Sequence, residues 1–193
     1  MQLPDLVHGD LDSLRDDVRA YYVSQHVDVS RDGDQDSTDF GKAMHKLAAL
    51  SSSSTSRREQ EQEQEQEQQD VLVLGTVGGR VDQGLGLLHE MMREEATHPR
   101  LRLWLFSECS VSFVLRSGRN RIGGLQSGQV FGRHVGIVPL YGPAKMTTVG
   151  LAWDVAEWET HMGGQVSTSN HVQADEVCVD TNAPVLFTVE RTG

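Results

Sequence analysis

Leu6-Val7-His8-Gly9-Asp10-Leu11-Asp12-Ser13 and Gln35-Asp36-Ser37-Thr38-Asp39-Phe40-Gly41-Lys42 are the stretches whose reading decides the fold. Ten aspartates fall in the first 42 residues, against four Lys and Arg, so acidic side chains are concentrated at this end of the chain. Asp10 and Asp12 sit two apart behind the short apolar run Leu6-Val7. On extended backbone, residues i and i+2 point to one side, so both carboxylates reach one ion. Hard cations such as Mg²⁺ take oxygen ligands, usually one or two carboxylates with phosphate and water. The bland alternative is an acidic loop with no ion.

Working outward, Leu6–His8 reads as the end of a strand and Gly9–Ser13 as the turn after it. Ser13, with Asp16 three residues on, has the form of a capping box. A helix is expected to about Gln25, with Leu14, Val18 and Tyr21 or Tyr22 on one face. Val27–Val29 reads as a short second strand and Arg31–Gln35 as a polar loop. Ser37 or Thr38 then caps a second helix, with Phe40, Met44, Leu47 and Leu50 at helical spacing. Both acidic motifs follow expected strands, where ligands bind in parallel α/β sheets. The helix N-terminus at Ser37–Asp39 offers backbone N–H groups to a phosphate.

Residues 51–70 are a serine run and Glu-Gln repeats without an apolar stripe, expected to be a low-complexity, solvated insertion. Val71-Leu72-Val73-Leu74 reads as a buried parallel strand. Gly75-Thr76-Val77-Gly78-Gly79-Arg80-Val81-Asp82-Gln83 follows it. Glycines between a strand and a helix let backbone approach a phosphate closely. A helix through Leu85, Leu88, Met91 and Met92 should stop before Pro99, and Leu101–Phe106 is the next strand. From Ser110 onward short strands are expected at Ser110–Arg116, His134–Leu140, Met146–Val149, Gln165–Ser169, Val177–Thr181 and Val185–Glu190, with a turn at Ser117–Asn120. The fold class is therefore α/β plus all-β: a mainly parallel, Rossmann-like sheet with helices over residues 1–109, followed by a β-sandwich over residues 110–193.

The formal charge of −11 disfavours nucleic acid and anionic membrane surfaces, which are held by an excess of Lys and Arg. No apolar run approaches the roughly 20 residues that span a bilayer, and Met1–Asp5 lacks the features of a signal peptide. Cys109 and Cys178 form no disulfide framework or zinc pattern, so reduced thiols and a cytoplasmic location are expected.

Six motifs occur in order: Gly-Asp-Leu-Asp-Ser at 9–13, Gln-Asp-Ser-Thr-Asp-Phe-x-Lys at 35–42, Gly-Gly-Arg-x-Asp-Gln at 78–83, Gly-Ile-Val-Pro-Leu at 136–140, Thr-x-Gly-Leu-x-Trp at 148–153 and Val-Ser-Thr-Ser-Asn at 166–170. Together they resemble the thiamine pyrophosphokinase family, most like its fungal members. The resemblance implies attack of thiamine's primary hydroxyl on the β-phosphorus of ATP, giving thiamine diphosphate and AMP. It implies Asp10, Asp12 and Asp39 as catalytic Mg²⁺ ligands, with Asp39 or Asp12 taking the hydroxyl proton. It implies ATP contacts from Gln35, Thr38 and Lys42, and from Arg80, Asp82 and Gln83. Trp153, Ser167, Ser169 and Asn170 would bind thiamine, Trp153 by covering a ring of the cation. In the family the β domain also dimerises, so a homodimer is expected.

Bland readings stand beside these: Trp153 in the core, Lys42 solvated, Arg80 paired with Asp82, and 166–170 a plain turn. The family's upstream Asp-Gly-Gly-Ala-Asn-Arg unit has no counterpart here, which makes the chain a truncated form or a catalytically impaired thiamine- or nucleotide-binding relative in the second reading. A third reading is an Asp-x-Asp phosphohydrolase, which leaves 78–83 without a role.

Overall fold

The computed structural model describes residues 2–54 and 68–192. The chain divides into two compact units, one of residues 1–67 with 96–98, the other of residues 68–95 with 99–193.

The first unit holds β1 (Leu6–Gly9), α1 (Asp16–Ser24), β2 (Asp28–Arg31) and α2 (Asp39–Ser54). β1 and β2 are parallel, in register from Leu6↔Asp28 to Gly9↔Arg31, with α1 as the crossover that parallel strands require. Ser13 does not cap α1: Arg15 is the N-cap residue, with no side-chain cap bond. The reason is local. Leu11 takes a positive φ of 60° and its carbonyl accepts from the Leu14 N–H at 3.3 Å, so 11–14 are spent in a turn before the helix starts. α2 starts as expected, with Thr38 Oγ1 accepting from the Gly41 N–H at 3.1 Å. Much of the expected insertion falls at 55–67, outside the described residues; Ser51–Ser54 continue α2 and Gln69 and Asp70 open the next strand.

The second unit contains β3 (Gln69–Leu74), all but the end of α3 (Val81–Thr97), β4 (Leu101–Phe106), β5 (Ser110–Leu115), β6 (Gly118–Ile122), β7 (Phe131–Val138), β8 (Ala144–Val149), β9 (Trp158–Thr160), β10 (Ser167–His171), β11 (Val177–Thr181) and β12 (Val185–Arg191). A six-stranded sheet has the order β10-β7-β12-β5-β4-β3, and a four-stranded sheet the order β6-β11-β8-β9. Here the structure corrects the expectation of one mainly parallel, Rossmann-like sheet. The parallel pairs β1–β2 and β3–β4 lie in different sheets, and the larger sheet is mixed. The connection from β4 to β5 is only Ser107–Cys109. A parallel crossover needs about a dozen residues or more, so β5 must fold back antiparallel. Ser107 Oγ fixes this turn by accepting from the Cys109 and Ser110 N–H groups at 3.2 and 2.9 Å.

The strands β6 and β9 were not expected. Residues 117–120 have turn composition, but β6 pairs with β11 from Gly118↔Thr181 onward. Asn120 satisfies its amide locally, donating to the Arg116 and Gly118 carbonyls at 2.8 and 3.0 Å, so the strand needs no apolar side chain there. Both sheets contribute to one apolar cluster: Val111, Phe113, Val135, Ile137, Val185 and Phe187 from the larger, Met146, Val177 and Val179 from the smaller. Alternating inward residues make this a β-sandwich core.

Glu95, on α3, is a half-buried carboxyl whose Oε1 accepts from the Leu103 N–H at 3.4 Å. Loss of solvation pushes its pKa up to about 7, against the opposing pull of that N–H, Arg116 and Tyr141. The folded state therefore holds a proton that the unfolded chain has already released, and stability falls as pH rises from the ordinary glutamate range to about 7. Glu95→Gln is predicted to raise Tm relative to the parent at pH 8 and to match it near pH 4, as read by thermal melts across pH. Phe187, fully buried between the sheets, should cost about 3–5 kcal/mol when cut to Ala, against about 0.5 kcal/mol or less for the exposed Arg119→Ala, measured by denaturant titration.

Candidate active site

The acidic site of the first unit is built where β1 and α2 meet. Gly9 ends β1, and a Cβ there would lie 2.7 Å from Asp39 Oδ1. Its absence lets the Asp39 carboxylate accept from the Asp10 N–H at 3.0 Å. Asp10 Oδ1 in turn accepts from the Asp12 N–H at 3.1 Å. That N–H, ahead of the Lys42 and Arg31 charges, holds the Asp10 carboxyl below its usual range.

Lys42, one turn into α2, is the buried member of the group. Its side chain is 2% exposed, and Nζ lies 3.9 Å from Asp10 Oδ2 and 3.8 Å from Asp39 Oδ1. The bland reading of a solvated lysine does not hold. A buried ammonium needs opposite charge close by, and two carboxylates side by side need a cation. Asp10, Asp39 and Lys42 are thus brought together by β1 and α2. Among the described residues, the carboxylates of Asp10, Asp12 and Asp39 do not gather as a set within 4.8 Å.

Gln35 lies in the exposed loop before α2, where Asp32 and Asp34 each accept from the N–H two residues on at 3.0 Å. The Asp36 N–H and the Ser37 hydroxyl hold the Asp34 carboxyl below its usual range. Sequence reading did not single out Asp34; its place in a run of alternating aspartates was the available signal.

In the second unit, Arg80 and Asp82 pair with each other at the start of α3, Nε to Oδ1 at 3.1 Å, and both are exposed. This is the simple pairing that the sequence also allowed. The Arg80 guanidinium keeps the Asp82 carboxyl below its usual range. Gln83 follows in the first turn of α3.

Trp153 is 60% exposed, so it is not a core residue. The segment carrying it is nevertheless fixed at nearly every step. Asp154 accepts from Thr148 Oγ1, the Gly150 N–H and the Leu151 N–H at 3.0, 3.0 and 3.1 Å. Thr148 Oγ1 accepts from the Val155 N–H at 3.1 Å. Gly150 has a φ of +102°, and a Cβ there would come within 2.8 Å of the Glu176 carbonyl. Leu151 is buried in the sandwich core. These contacts account for Thr148, Gly150 and Leu151 of the Thr-x-Gly-Leu-x-Trp motif.

Asn170 completes the segment. It is 4% exposed; its Oδ1 accepts from the Trp153 and His171 N–H groups at 3.1 and 2.8 Å, and its Nδ2 donates to the Trp153 carbonyl at 3.0 Å. Ser167 and Ser169 lie before it on β10, at an irregularity in the pairing with β7, and Ser169 has a positive φ of 56°. Asp154 and His171 were not read from the sequence. An acidic residue directly after the motif tryptophan was the only signal for Asp154.

Comparison with known proteins identifies the family. Residues 1–105 match the thiamin pyrophosphokinase catalytic domain, and residues 124–186 match the thiamin pyrophosphokinase vitamin B1 binding domain. Thiamine pyrophosphokinase 1 of Arabidopsis thaliana is 33% identical over 98% of this chain and 67% of its own length. Thiamine pyrophosphokinase of Saccharomyces cerevisiae is 26% identical over 97% of this chain and 69% of its own. The chain thus spans about two thirds of the length of these relatives. The solved thiamin pyrophosphokinase from Candida albicans superposes with a TM-score of 0.83 at 22% identity, covering 99% of this chain and 74% of that one. The yeast enzyme structure gives 0.80 at 25% identity, covering 99% and 70%. With a family match across more than half its residues and a relative a third identical, the chain belongs to the thiamine pyrophosphokinase family.

Proposed function

We propose that the chain transfers the pyrophosphoryl group of ATP to the primary hydroxyl of thiamine, releasing AMP. The observation that carries this is the catalytic-domain match over the residues that gather Asp10, Asp39 and Lys42. In this reading residues 1–109 bind ATP and residues 110–193 bind thiamine and form a homodimer. Two free cysteines, Cys109 and Cys178, fit a reducing, cytoplasmic setting. Among the described residues no helix is long and apolar enough to cross a membrane.

The hydroxyl oxygen of thiamine attacks the β-phosphorus, and the bond from that phosphorus to the α–β bridging oxygen breaks. AMP leaves with the electron pair, and the hydroxyl proton passes to Asp39 or Asp12. Such reactions depend mainly on positioning and on charge placed around the phosphoryl oxygens. The donor set of Asp10, Asp12 and Asp39 consists of hard carboxylate oxygens, which suits Mg²⁺. These three residues would hold the ion, which when bound neutralises charge on the phosphates. The Lys42 ammonium lies beside both Asp10 and Asp39 and adds positive charge toward the nucleotide. Gln35, in the loop before α2, and Thr38, at its start, contact the nucleotide. Arg80, released from Asp82, contacts the phosphates, while Asp82 and Gln83 line the same cleft. Trp153 covers a ring of the cationic substrate, while Ser167, Ser169 and an N–H of Asn170 hydrogen-bond its aminopyrimidine.

The test is incubation with ATP, Mg²⁺ and thiamine, following AMP, ADP and phosphate. AMP formed only when thiamine is present is the expected result. Saturable thiamine binding without turnover would favour the impaired relative, and phosphate release without thiamine a phosphohydrolase. Asp12→Ala should lower turnover by about a hundredfold or more; unchanged turnover would remove Asp12 from the site.

A further inference from the structure

The hydrogen bonds around Trp153 fix its backbone but leave the indole free to change rotamer, and an exposed ring that must meet a ligand gains from being held. A chain of aromatic contacts supplies that hold. The indole centroid lies 5.0 Å from the His171 ring at 51°, and the His171 centroid lies 5.0 Å from the His134 ring at 71°. His134 Nδ1 is 2.7 Å from Glu190 Oε2, which also accepts from the His134 N–H at 3.3 Å. Those contacts keep the Glu190 carboxyl below its usual range, so it is ionised and the proton is assigned to His134 Nδ1. The sheet sets the spacing: His171 and His134 face each other across the β10–β7 ladder, and Glu190 stands on β12, the next strand. Tilted and edge-to-face ring pairs are the favourable geometries.

We infer that His171 is a positioning residue for the thiamine-binding indole, bracing Trp153 from the sheet side on a footing of His134 and Glu190. This rests on the reading that Trp153 meets thiamine. His171 touches no reacting atom; it fixes one side of the indole so that the solvent-facing remainder is ready for the cationic ring. Burial, then Arg133 and His134, push the His171 pKa down, which keeps the brace neutral and spares the bound cation a like charge. A preset ring lowers the ordering cost of binding.

The experiment compares the full chain with Trp153→Ala, His171→Ala and His171→Phe, by calorimetric titration with thiamine and by steady-state kinetics. Trp153 emission is isolated by subtracting the Trp153→Ala spectrum, since the chain has three tryptophans. His171→Ala should raise Kd and KM for thiamine about three- to tenfold, with kcat and the KM for ATP unchanged. It should also shift Trp153 emission to the red and lower its anisotropy. His171→Phe, which keeps a ring but cannot titrate, should restore both readouts. Weakened thiamine binding in Trp153→Ala with no change in either readout for His171→Ala overturns the role of His171 alone. Failure of His171→Phe to restore what His171→Ala loses also overturns it. Unchanged thiamine affinity in Trp153→Ala overturns the reading beneath it, and the proposal with it.

Discussion

A buried ammonium between two carboxylates is the constraint on which the acidic site depends. Lys42 is 2% exposed, whereas Asp10 and Asp39 are 26% and 61% exposed. Taking the lysine out of water is costly, and both carboxylates face it while leaving their outer sides to solvent. The same arrangement keeps acidic groups from β1 and α2 beside each other. It therefore joins local stability to the placing of the two carboxylates. Gly9 is part of this constraint, because a Cβ there would press on the Asp39 carboxylate at 2.7 Å.

The sandwich applies a different principle to a similar end. A large exposed aromatic is costly to hold in one place, and here polar side chains fix the backbone that carries it. Asp154 and Asn170 each bond several backbone groups of the 148–155 segment, so their own polar atoms are satisfied and the segment has little freedom. The core beneath it, with Leu151 and Phe187, supplies the rigid base. Precision at the surface is thus derived from strands and from fully bonded polar side chains.

The sequence made the apolar periodicities legible. α2 and its Thr38 cap, the strand β4, and the alternating strands β5, β8, β11 and β12 all lie close to their expected bounds. Local polarity misled where a side chain satisfied itself: Asn120 made a strand look like a turn, and the turn at Leu11 displaced the expected Ser13 cap. The mixed sheet was hidden because ladder direction depends on the length of the Ser107–Cys109 connection, which propensity does not weigh. At the site, residue types and spacing pointed to Asp10 and Asp39, and the family resemblance to Trp153. Burial of Lys42, the bonds of Asn170 and the ring contact of His171 arise from segments far apart in the chain, and no local pattern reports them.

The central claim is that the acidic loops of the first unit collect a divalent cation carrying ATP. Calorimetric titration with a non-hydrolysable ATP analogue, with and without Mg²⁺, measures this directly. Saturable binding that needs Mg²⁺ and is lost in Asp39→Ala is the predicted result. Equal binding with and without the ion, unaltered in Asp10→Ala, Asp12→Ala and Asp39→Ala, would contradict it.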